Sequence, residues 1–213
     1  MWRTPAATAA STAGLMTPSA SLMAGGRRRN RRSAPANASG HVAGSAKSKR
    51  AAVRRAAYTF LRAAFFMQNL STTHAADIRE LGEVLVPAGD GRTAFVDARD
   101  VAAAAARVLT AAGHEDRAYE LTGREALTYD EVAAVLTRVL GRPIAYRHPG
   151  ALRFYRHMRR RGLPRAYVGV MVALYTTARL GLAGRLSPEL ERLLGRAPIT
   201  FEQFARDHAG AWR

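Results

Sequence analysis

Residues 58–149 alternate short β-prone runs with helical segments that carry their own start and stop signals. Thr128 and Glu131 form a T-x-x-E capping box, and Gly141 stands where the helix that they begin would end. The turn pair Asp90-Gly91 precedes another β-prone run. Strands that alternate with helices pack as a sheet covered by those helices, so the pattern predicts an α/β fold.

The individual elements of this region are predicted from the same signals. Asp100 is a favourable N-cap for a helix that would end before Gly113. The predicted strands are 58–62, 84–87, 93–96, 118–121 and 143–146, and the predicted helices are 65–70, 101–112 and 128–140.

After Pro149 the pattern is helical. We predict helices over 152–161 and 166–180. Two further helices are marked by their first turns: Ser187-Pro188-Glu189 starts one, and Thr200 with Gln203 starts the other, which would run to 209. The chain therefore divides into a leader (1–50), an α/β part (51–149) and a helical part (150–213).

The leader is basic and of low complexity. Residues 1–76 carry twelve Lys and Arg and no acid, with a run of arginines at 27–32, whereas residues 77–149 carry nine Arg and twelve acids. Such a segment buries too little apolar surface to order itself, so we predict disorder to about residue 50 and leave a short helix over 50–57 open. A nucleic-acid or anionic-lipid ligand, a transit peptide and a mis-started gene model are the alternatives, and the third is favoured.

The chain contains no cysteine, which excludes disulfides, thiol catalysis and cysteine metal sites. No run reaches the length of apolar residues that a membrane span requires; the most apolar stretch, 166–174, is predicted as a buried or amphipathic helix. None of the six histidines stands at a metal-ligand spacing, so we predict no metal site. Cysteine usage does not decide the compartment, and we expect a cytoplasmic protein.

Three blocks in the α/β part, taken in order, carry a family resemblance. They read YTFLRAAFFMQN, FVDARDVAAAAARVL and YELTGREALTYDEVAAVLTRVLGRP. Together they resemble the NmrA-like branch of the atypical short-chain dehydrogenases/reductases. That branch includes NAD(P)H:quinone oxidoreductases, isoflavone-reductase-like enzymes and redox-sensing regulators.

The resemblance implies an incomplete Rossmann-like domain, its C-terminal half, with a helical substrate-binding tail. It implies NADP or NAD as cofactor, a small-molecule substrate, and reduction of a quinone or similar carbonyl compound in the intact parent. It places the end of the first strand beside the nicotinamide. The residues that it implies at the cofactor are Arg62, Phe65 and Asn69, and those at the substrate are Phe66 and Met67.

The sequence departs from the family pattern at several points. Ala63 stands where the family usually has proline, and no G-x-x-G-x-x-G or G-x-G-x-x-G occurs. That turn brings backbone N–H groups to the pyrophosphate at a helix N-terminus. A Tyr-x-x-x-Lys pair is also missing, and the catalytic residues are unknown. We therefore expect a truncated chain with impaired activity; a dinucleotide-sensing regulator without catalysis and a non-functional fragment are the alternatives.

Simpler roles compete with function at several positions. Arg62 is expected to pair with a carboxylate such as Asp97, Asp100 to act only as a helix cap, and His74 to be exposed at the surface. The arginines of 153–165 are expected to form a solvated helix face rather than a phosphate site. Nucleic acid is a possible but disfavoured partner, and no oligomeric state is predicted.

Overall fold

The structure is a computed structural model that describes residues 57–213. The predicted disorder of 1–50, the arginine run and the optional helix that would end at 57 lie outside the described residues.

Seven strands and seven α-helices occur among residues 57–213; five of the strands match predicted strands, whereas β2 and β6 were not predicted. The strands are β1 (Thr59–Ala63), β2 (Phe65–Phe66), β3 (Glu83–Val84), β4 (Thr93–Val96), β5 (Arg117–Leu121), β6 (Ala126–Leu127) and β7 (Ala145–Tyr146). The helices are α1 (Gln68–Ser71), α2 (Ala98–Thr110), α3 (Tyr129–Leu140), α4 (Ala151–Arg160), α5 (Arg165–Arg179), α6 (Glu189–Leu194) and α7 (Phe201–Asp207). A π-helical turn spans Asp77–Leu81, and a 3-10 turn spans Ala209–Trp212.

The strand pairing is mainly parallel, as the α/β prediction requires. β1 pairs with β5 in parallel, with Leu61 opposite Tyr119. β2 pairs in parallel with β4, β4 pairs antiparallel with β6, and β3 pairs in parallel with β7. Parallel neighbours need a crossover connection, and the one from β1 to its parallel partner β5 includes α2.

The chain passes from one pairing partner to the other at Ala64, between β1 and β2. Ala64 N donates to Leu121 O of β5 (2.9 Å), whereas Met67 N donates to Val96 O of β4 (3.0 Å). Gly123, just after β5, donates its N–H to Phe95 O (2.8 Å), and a Cβ at this position would lie 2.2 Å from that oxygen. β4 therefore fits between β2 and the chain after β5 because residue 123 has no side chain.

Two sequence predictions for this region are wrong. Phe65 and Phe66 were predicted at the start of a helix, but their backbone pairs with β4 and the helix begins only at Gln68. The cap of α2 is Asp97, whose side chain accepts from Arg99 N (2.8 Å). Asp100 lies within α2, and the helix ends at Thr110, before Gly113.

Most of the local stop and start signals are confirmed. Thr128 and Glu131 exchange the two hydrogen bonds of a capping box, and Gly141 ends α3 with a left-handed backbone (φ 66°). Thr200 Oγ1 accepts from Gln203 N at the start of α7 (3.1 Å). Ser187 Oγ accepts from Glu189 N (3.3 Å), but α6 begins at Glu189 with Pro188, not Ser187, as its N-cap.

Two clusters of buried apolar side chains hold the elements together. The larger is rich in aromatic residues from α3, α4, α5, α7 and the C-terminus, among them Tyr129, Phe154, Tyr175, Phe204 and Trp212. The smaller lies between β5, α2 and α6 and consists of Val96, Ala104, Leu121, Leu190 and Leu193. The apolar run 166–174 belongs to α5, which buries one face and exposes Val170. No helix among residues 57–213 is long and apolar enough to cross a membrane.

Candidate functional site

The carboxyl ends of β2 and β4 lie beside the chain that follows β5. The links between these segments are the hydrogen bonds from Met67 to Val96 and from Gly123 to Phe95. In open α/β sheets, ligands bind in the crevice outside the carboxyl ends of the strands. The segment after β2 and the turn after β4 therefore form the candidate functional site.

A network of polar side chains fixes the turn after β4. Asp97 is fully buried, and its carboxylate accepts from Gln68 Nε2 (3.0 Å) and from Arg99 Nε (3.1 Å). Gln68 Oε1 in turn accepts from Ala98 N (3.1 Å), and Arg99 also pairs with Asp207 (2.7 Å). Burial acts to raise the pKa of Asp97, but the hydrogen bonds from Arg99 and Gln68 outweigh it and lower the pKa. Asp97 is thus an ionised, immobilised group that positions the turn.

The five residues implied by the family resemblance do not all lie on one surface. Phe65 packs against Tyr175 (ring centroids 5.5 Å apart), and Phe66 packs against the smaller cluster. Successive strand residues point to opposite faces, which separates these two rings. Met67 is buried at 2% exposure in the larger cluster, so in this conformation it presents little surface to a substrate.

Asn69 is half-buried in α1, one turn beyond the end of β2. Its backbone oxygen accepts from His74 N (3.1 Å). Within residues 57–213, its side-chain amide makes no hydrogen bond to another side chain or to the backbone. The backbone of Asn69 is thus held in place, while its side-chain amide has no partner among the described residues. Such an amide is suited to bind a polar group of a ligand. The roles of these five residues stay predictions.

Arg62 does not pair with Asp97 as expected. It pairs with Glu120 on β5 (3.0 Å), at a position where both side chains are more than half exposed. The two residues stand directly opposite each other in the β1–β5 register, whereas Asp97 is reached by Arg99 two residues along the chain. The partner was missed because it depends on the strand register, which the sequence does not show.

His74 is buried, and the expectation that it lies at the surface is wrong. Its Nε2 lies 2.6 Å from the hydroxyl of Tyr175, and its Nδ1 has no hydrogen-bond partner among the described residues. Burial, with added repulsion from Arg161 and His157, lowers the pKa of His74 from 6.5 to about 3. His74 is therefore neutral at physiological pH.

Asp77 forms a second buried polar group close by, which sequence analysis did not single out. It is 3% exposed and accepts from His157 Nε2 (2.9 Å) and from Arg161 (3.0 Å). Arg161 comes from the basic run 153–165, so that run is not solvated throughout. Arg153, Arg156, Arg160 and Arg165 are exposed, as the solvated-face prediction requires.

An open groove lies beside the end of α5. It is lined by Asp90, Arg92 and Arg179 together with several glycines. Gly91 lets the turn at residues 90–91 lie close to the backbone of α5, because a Cβ at Gly91 would lie 1.8 Å from Ala178 O. Arg92 is held by a bidentate pair with Glu131 (3.0 Å for each bond).

His148 lies next to this groove between two carboxylates. Its Nδ1 is 3.5 Å from Asp90, its Nε2 is 3.1 Å from Asp130, and its ring lies against Tyr146 (centroids 4.2 Å apart). These three polar groups come from separate segments, so no sequence spacing could indicate them. The two ring nitrogens of His148 thus face different carboxylates.

The described residues fit only part of a dinucleotide. The family resemblance would place a nicotinamide ring at the carboxyl ends of β2 and β4. The glycines at 91 and 123 are occupied by close backbone packing, and those at 82 and 141 end helices. These four glycines are therefore committed to packing and helix ends rather than to a pyrophosphate.

Comparison with known proteins agrees with the earlier resemblance. The model of the NmrA-like family matches residues 48–185. NAD(P)H azoreductase of Xenophilus azovorans is 39% identical over 156 residues, which cover 73% of this chain and 54% of the relative. The chain thus spans about half the length of the curated relatives that it matches.

Solved structures give the same result for the fold. An NADPH-dependent quinone oxidoreductase of Escherichia coli, complexed with NADPH, matches with a TM-score of 0.66 and 32% identity, covering 72% of this chain and 54% of that one. The triphenylmethane reductase of Citrobacter sp., complexed with NADP(H), matches with a TM-score of 0.65 and 28% identity, covering 71% and 53%. The predicted α/β, Rossmann-like fold is confirmed.

Proposed function

The chain belongs to the NmrA-like family, and on that premise we propose that it supplies the nicotinamide and substrate wall of an NAD(P)H-dependent reductase. The proposed substrate class is a quinone or similar carbonyl compound. The observation that carries the proposal is the meeting of the strand ends, with the uncommitted side chain of Asn69 beside them. One relative is named as a quinone oxidoreductase, and another is named as an NAD(P)H azoreductase.

In this proposal the chain's own residues bind and orient. Asn69 holds the carboxamide or a substrate carbonyl, and Phe66 covers one face of a flat ring. Gln68, Asp97 and Arg99 keep the turn in place and touch no reacting atom. The bound nicotinamide supplies the hydride, as cofactors do in such enzymes. The helical part (150–213) closes the substrate side of the cleft.

The sequence contains no glycine-rich turn for the pyrophosphate, so we propose that this chain holds the dinucleotide weakly. Titration of the 213-residue protein with NADPH and with NADH, followed by the shift in melting temperature, tests binding. Oxidation of NADPH in the presence of a soluble quinone tests turnover. A complete lack of both a shift at millimolar dinucleotide and quinone-dependent oxidation would contradict the proposal.

Asn69→Ala is the informative variant, and Thr72→Ala is its matched control. Thr72 is exposed just after the same helix, and its hydroxyl bonds only to Gln68 O (2.8 Å). Loss of the dinucleotide-induced shift in Asn69→Ala but not in Thr72→Ala would support direct contact by the amide. Equal shifts in both variants would remove Asn69 from the site.

A non-catalytic, dinucleotide-sensing role is the second candidate. The missing Tyr-x-x-x-Lys pair favours it, because the sequence then holds no evident proton donor for a reduced carbonyl. Dinucleotide binding without quinone-dependent oxidation would identify this role. A non-functional fragment would show neither, and a basic nucleic-acid partner would show salt-dependent binding to random duplex. A cytoplasmic location stays a prediction.

A further inference from the structure

The outward face of α4 carries arginines that face solvent. The helix buries Phe154 and Met158, one turn apart, in the larger cluster. Side chains on the opposite side of the helix are exposed, namely Leu152, Arg153, Arg156 and Arg160. Arg161, just after the helix, pairs with Asp77 (3.0 Å). The three exposed arginines of α4 form no ion pair within residues 57–213, so they are available to an anionic partner.

The lack of carboxylates around this face is a property of the sequence. Residues 150–188 contain eight arginines and no Asp or Glu, and residues 1–76 contain no acid that could pair with them. The described residues begin next to β1, which packs on β5 and α2, whereas α4 packs on α5. The uncompensated charge of α4 is thus set by its own segment and lies apart from the start of the described residues.

α5 presents an uncharged outward face beside these arginines. No charged residue lies between Arg165 and Arg179. The helix buries Met171 and Tyr175. Its exposed side carries small uncharged residues, namely Ala166, Gly169, Val170, Ala173 and Thr177. Phe154 of α4 lies edge-on to Tyr175 (ring centroids 5.6 Å apart), so the two helices cover the same part of the core. Their outward faces together form the α4–α5 surface, an arginine face beside an uncharged one.

We propose that the α4–α5 surface binds the surface of a membrane that contains anionic phospholipids. Guanidinium groups donate paired hydrogen bonds to phosphate oxygens, so Arg153, Arg156 and Arg160 lie at the headgroups in this arrangement. Leu152 and Val170 are 60% and 45% exposed, and they enter the boundary between headgroups and acyl chains. The surface thus combines the two features of an interfacial helix, cations for the headgroups and apolar side chains for the boundary.

An anionic membrane fits this surface better than a nucleic acid does. A duplex gains its affinity from phosphate contacts and would leave the uncharged face of α5 unused. Proteins that bind single strands stack the bases on exposed aromatic rings, whereas Tyr155 and Tyr167 on these two helices are half-buried. A membrane contacts the arginine face and the uncharged face at the same time, because its headgroups and acyl boundary lie in adjacent layers.

Sedimentation of the full 213-residue chain with vesicles tests the proposal, and circular dichroism confirms that each variant folds. The vesicles contain phosphatidylcholine with or without phosphatidylglycerol. The test variant replaces the three arginines of α4: Arg153→Gln, Arg156→Gln and Arg160→Gln. Its matched control replaces three exposed arginines outside this surface: Arg107→Gln, Arg117→Gln and Arg124→Gln. Both variants lose the same charge, so the comparison separates the α4 face from the basic leader and from the net charge.

We expect the α4 variant to bind vesicles with phosphatidylglycerol about tenfold or more weakly than the natural chain, because each arginine near an anionic surface adds to the affinity. Val170→Asn should weaken binding severalfold, whereas the control variant should change it by less than about threefold.

A folded natural chain that does not bind these vesicles overturns the proposal. So do equal losses in the two triple variants, or equal binding to vesicles with and without phosphatidylglycerol. An unchanged affinity in Val170→Asn also overturns it, and loss of affinity for random duplex in the α4 variant would then identify a nucleic-acid surface.

Discussion

β4 and β1 are both β-prone runs in the same α/β layer, yet they lie in very different surroundings. All four residues of β4 are buried, with a strand on each side and the aromatic cluster against it. β1 alternates between half-buried and exposed residues and has one strand partner among the described residues. Local sequence thus makes a strand, whereas the number of neighbours decides how firmly it is held.

Trp212→Ala should have the largest effect on the unfolding free energy, because it removes a large side chain from the aromatic cluster that packs against β4. Trp212 is fully buried, donates to Leu70 O (2.8 Å) and lies edge-on to Phe204. Loss of a large buried aromatic side chain costs about 3–5 kcal/mol of unfolding free energy. Urea denaturation followed by circular dichroism measures it. Leu109→Ala, at a residue 83% exposed on α2, should change stability by less than about 0.5 kcal/mol.

Acidic pH should lower the unfolding free energy through His74, which contacts Tyr175 of the same aromatic cluster. The folded protein holds the pKa of His74 at about 3, against 6.5 in the unfolded chain, so below pH 6.5 only the unfolded chain binds this proton. The unfolding free energy should therefore fall by about 1.4 kcal/mol per pH unit from this residue, down to pH near 3. Denaturation curves between pH 6.5 and 4.5 measure the slope. An unchanged slope in His74→Asn would contradict this origin.

Thr128→Ala tests the helix that covers the buried strand layer. The variant removes the hydroxyl that accepts from Glu131 N (3.2 Å) and breaks half of the capping box. We expect a loss of about 1 kcal/mol in thermal or urea denaturation. Thr110→Ala is the control, since Thr110 ends α2 in an exposed position and bonds only to backbone oxygens of its own helix. Equal losses would mean that the box adds nothing beyond a surface hydroxyl.

Arg62→Ala, on the partly exposed strand β1, should have the smallest effect on the unfolding free energy. Its pair with Glu120 is exposed at both ends, and exposed ion pairs contribute about 0–1 kcal/mol. Salt should screen what remains, so the difference from the natural chain should vanish in about 1 M NaCl. A loss above about 2 kcal/mol at high salt would show that β1 is held more firmly than its exposure indicates.

Local signals in the sequence were sufficient for much of the fold. The capping box at Thr128, the stop at Gly141 and the start at Thr200 act within a few residues, and each is confirmed. The order of five of the seven strands and the family blocks were also predicted from the sequence. For the candidate site, the sequence predicted the segment but not which side chains share a surface. Phe65 and Phe66 pair with β4 as a strand, so their side chains point to opposite faces.

Long-range partners could not be predicted from the same signals. His74 and Tyr175 are 101 residues apart in sequence, and Asp77 reaches Arg161 across 84. Asp100 was expected to cap a helix but accepts from Arg196 and from Ile199 N, both 2.7 Å away in the chain after α6. Each of these groups depends on which elements pack together.

The sequence by itself determined both ends of α3, the start of α7, the absence of thiol chemistry, the basic leader and the family. These follow from side-chain chemistry and from contacts within about one helical turn. The tertiary structure alone decided that Asp97 rather than Asp100 caps α2, that His74 is buried and neutral, and that Arg62 pairs with Glu120. The physical reason is that burial and strand register depend on distant segments, which the local pattern does not encode.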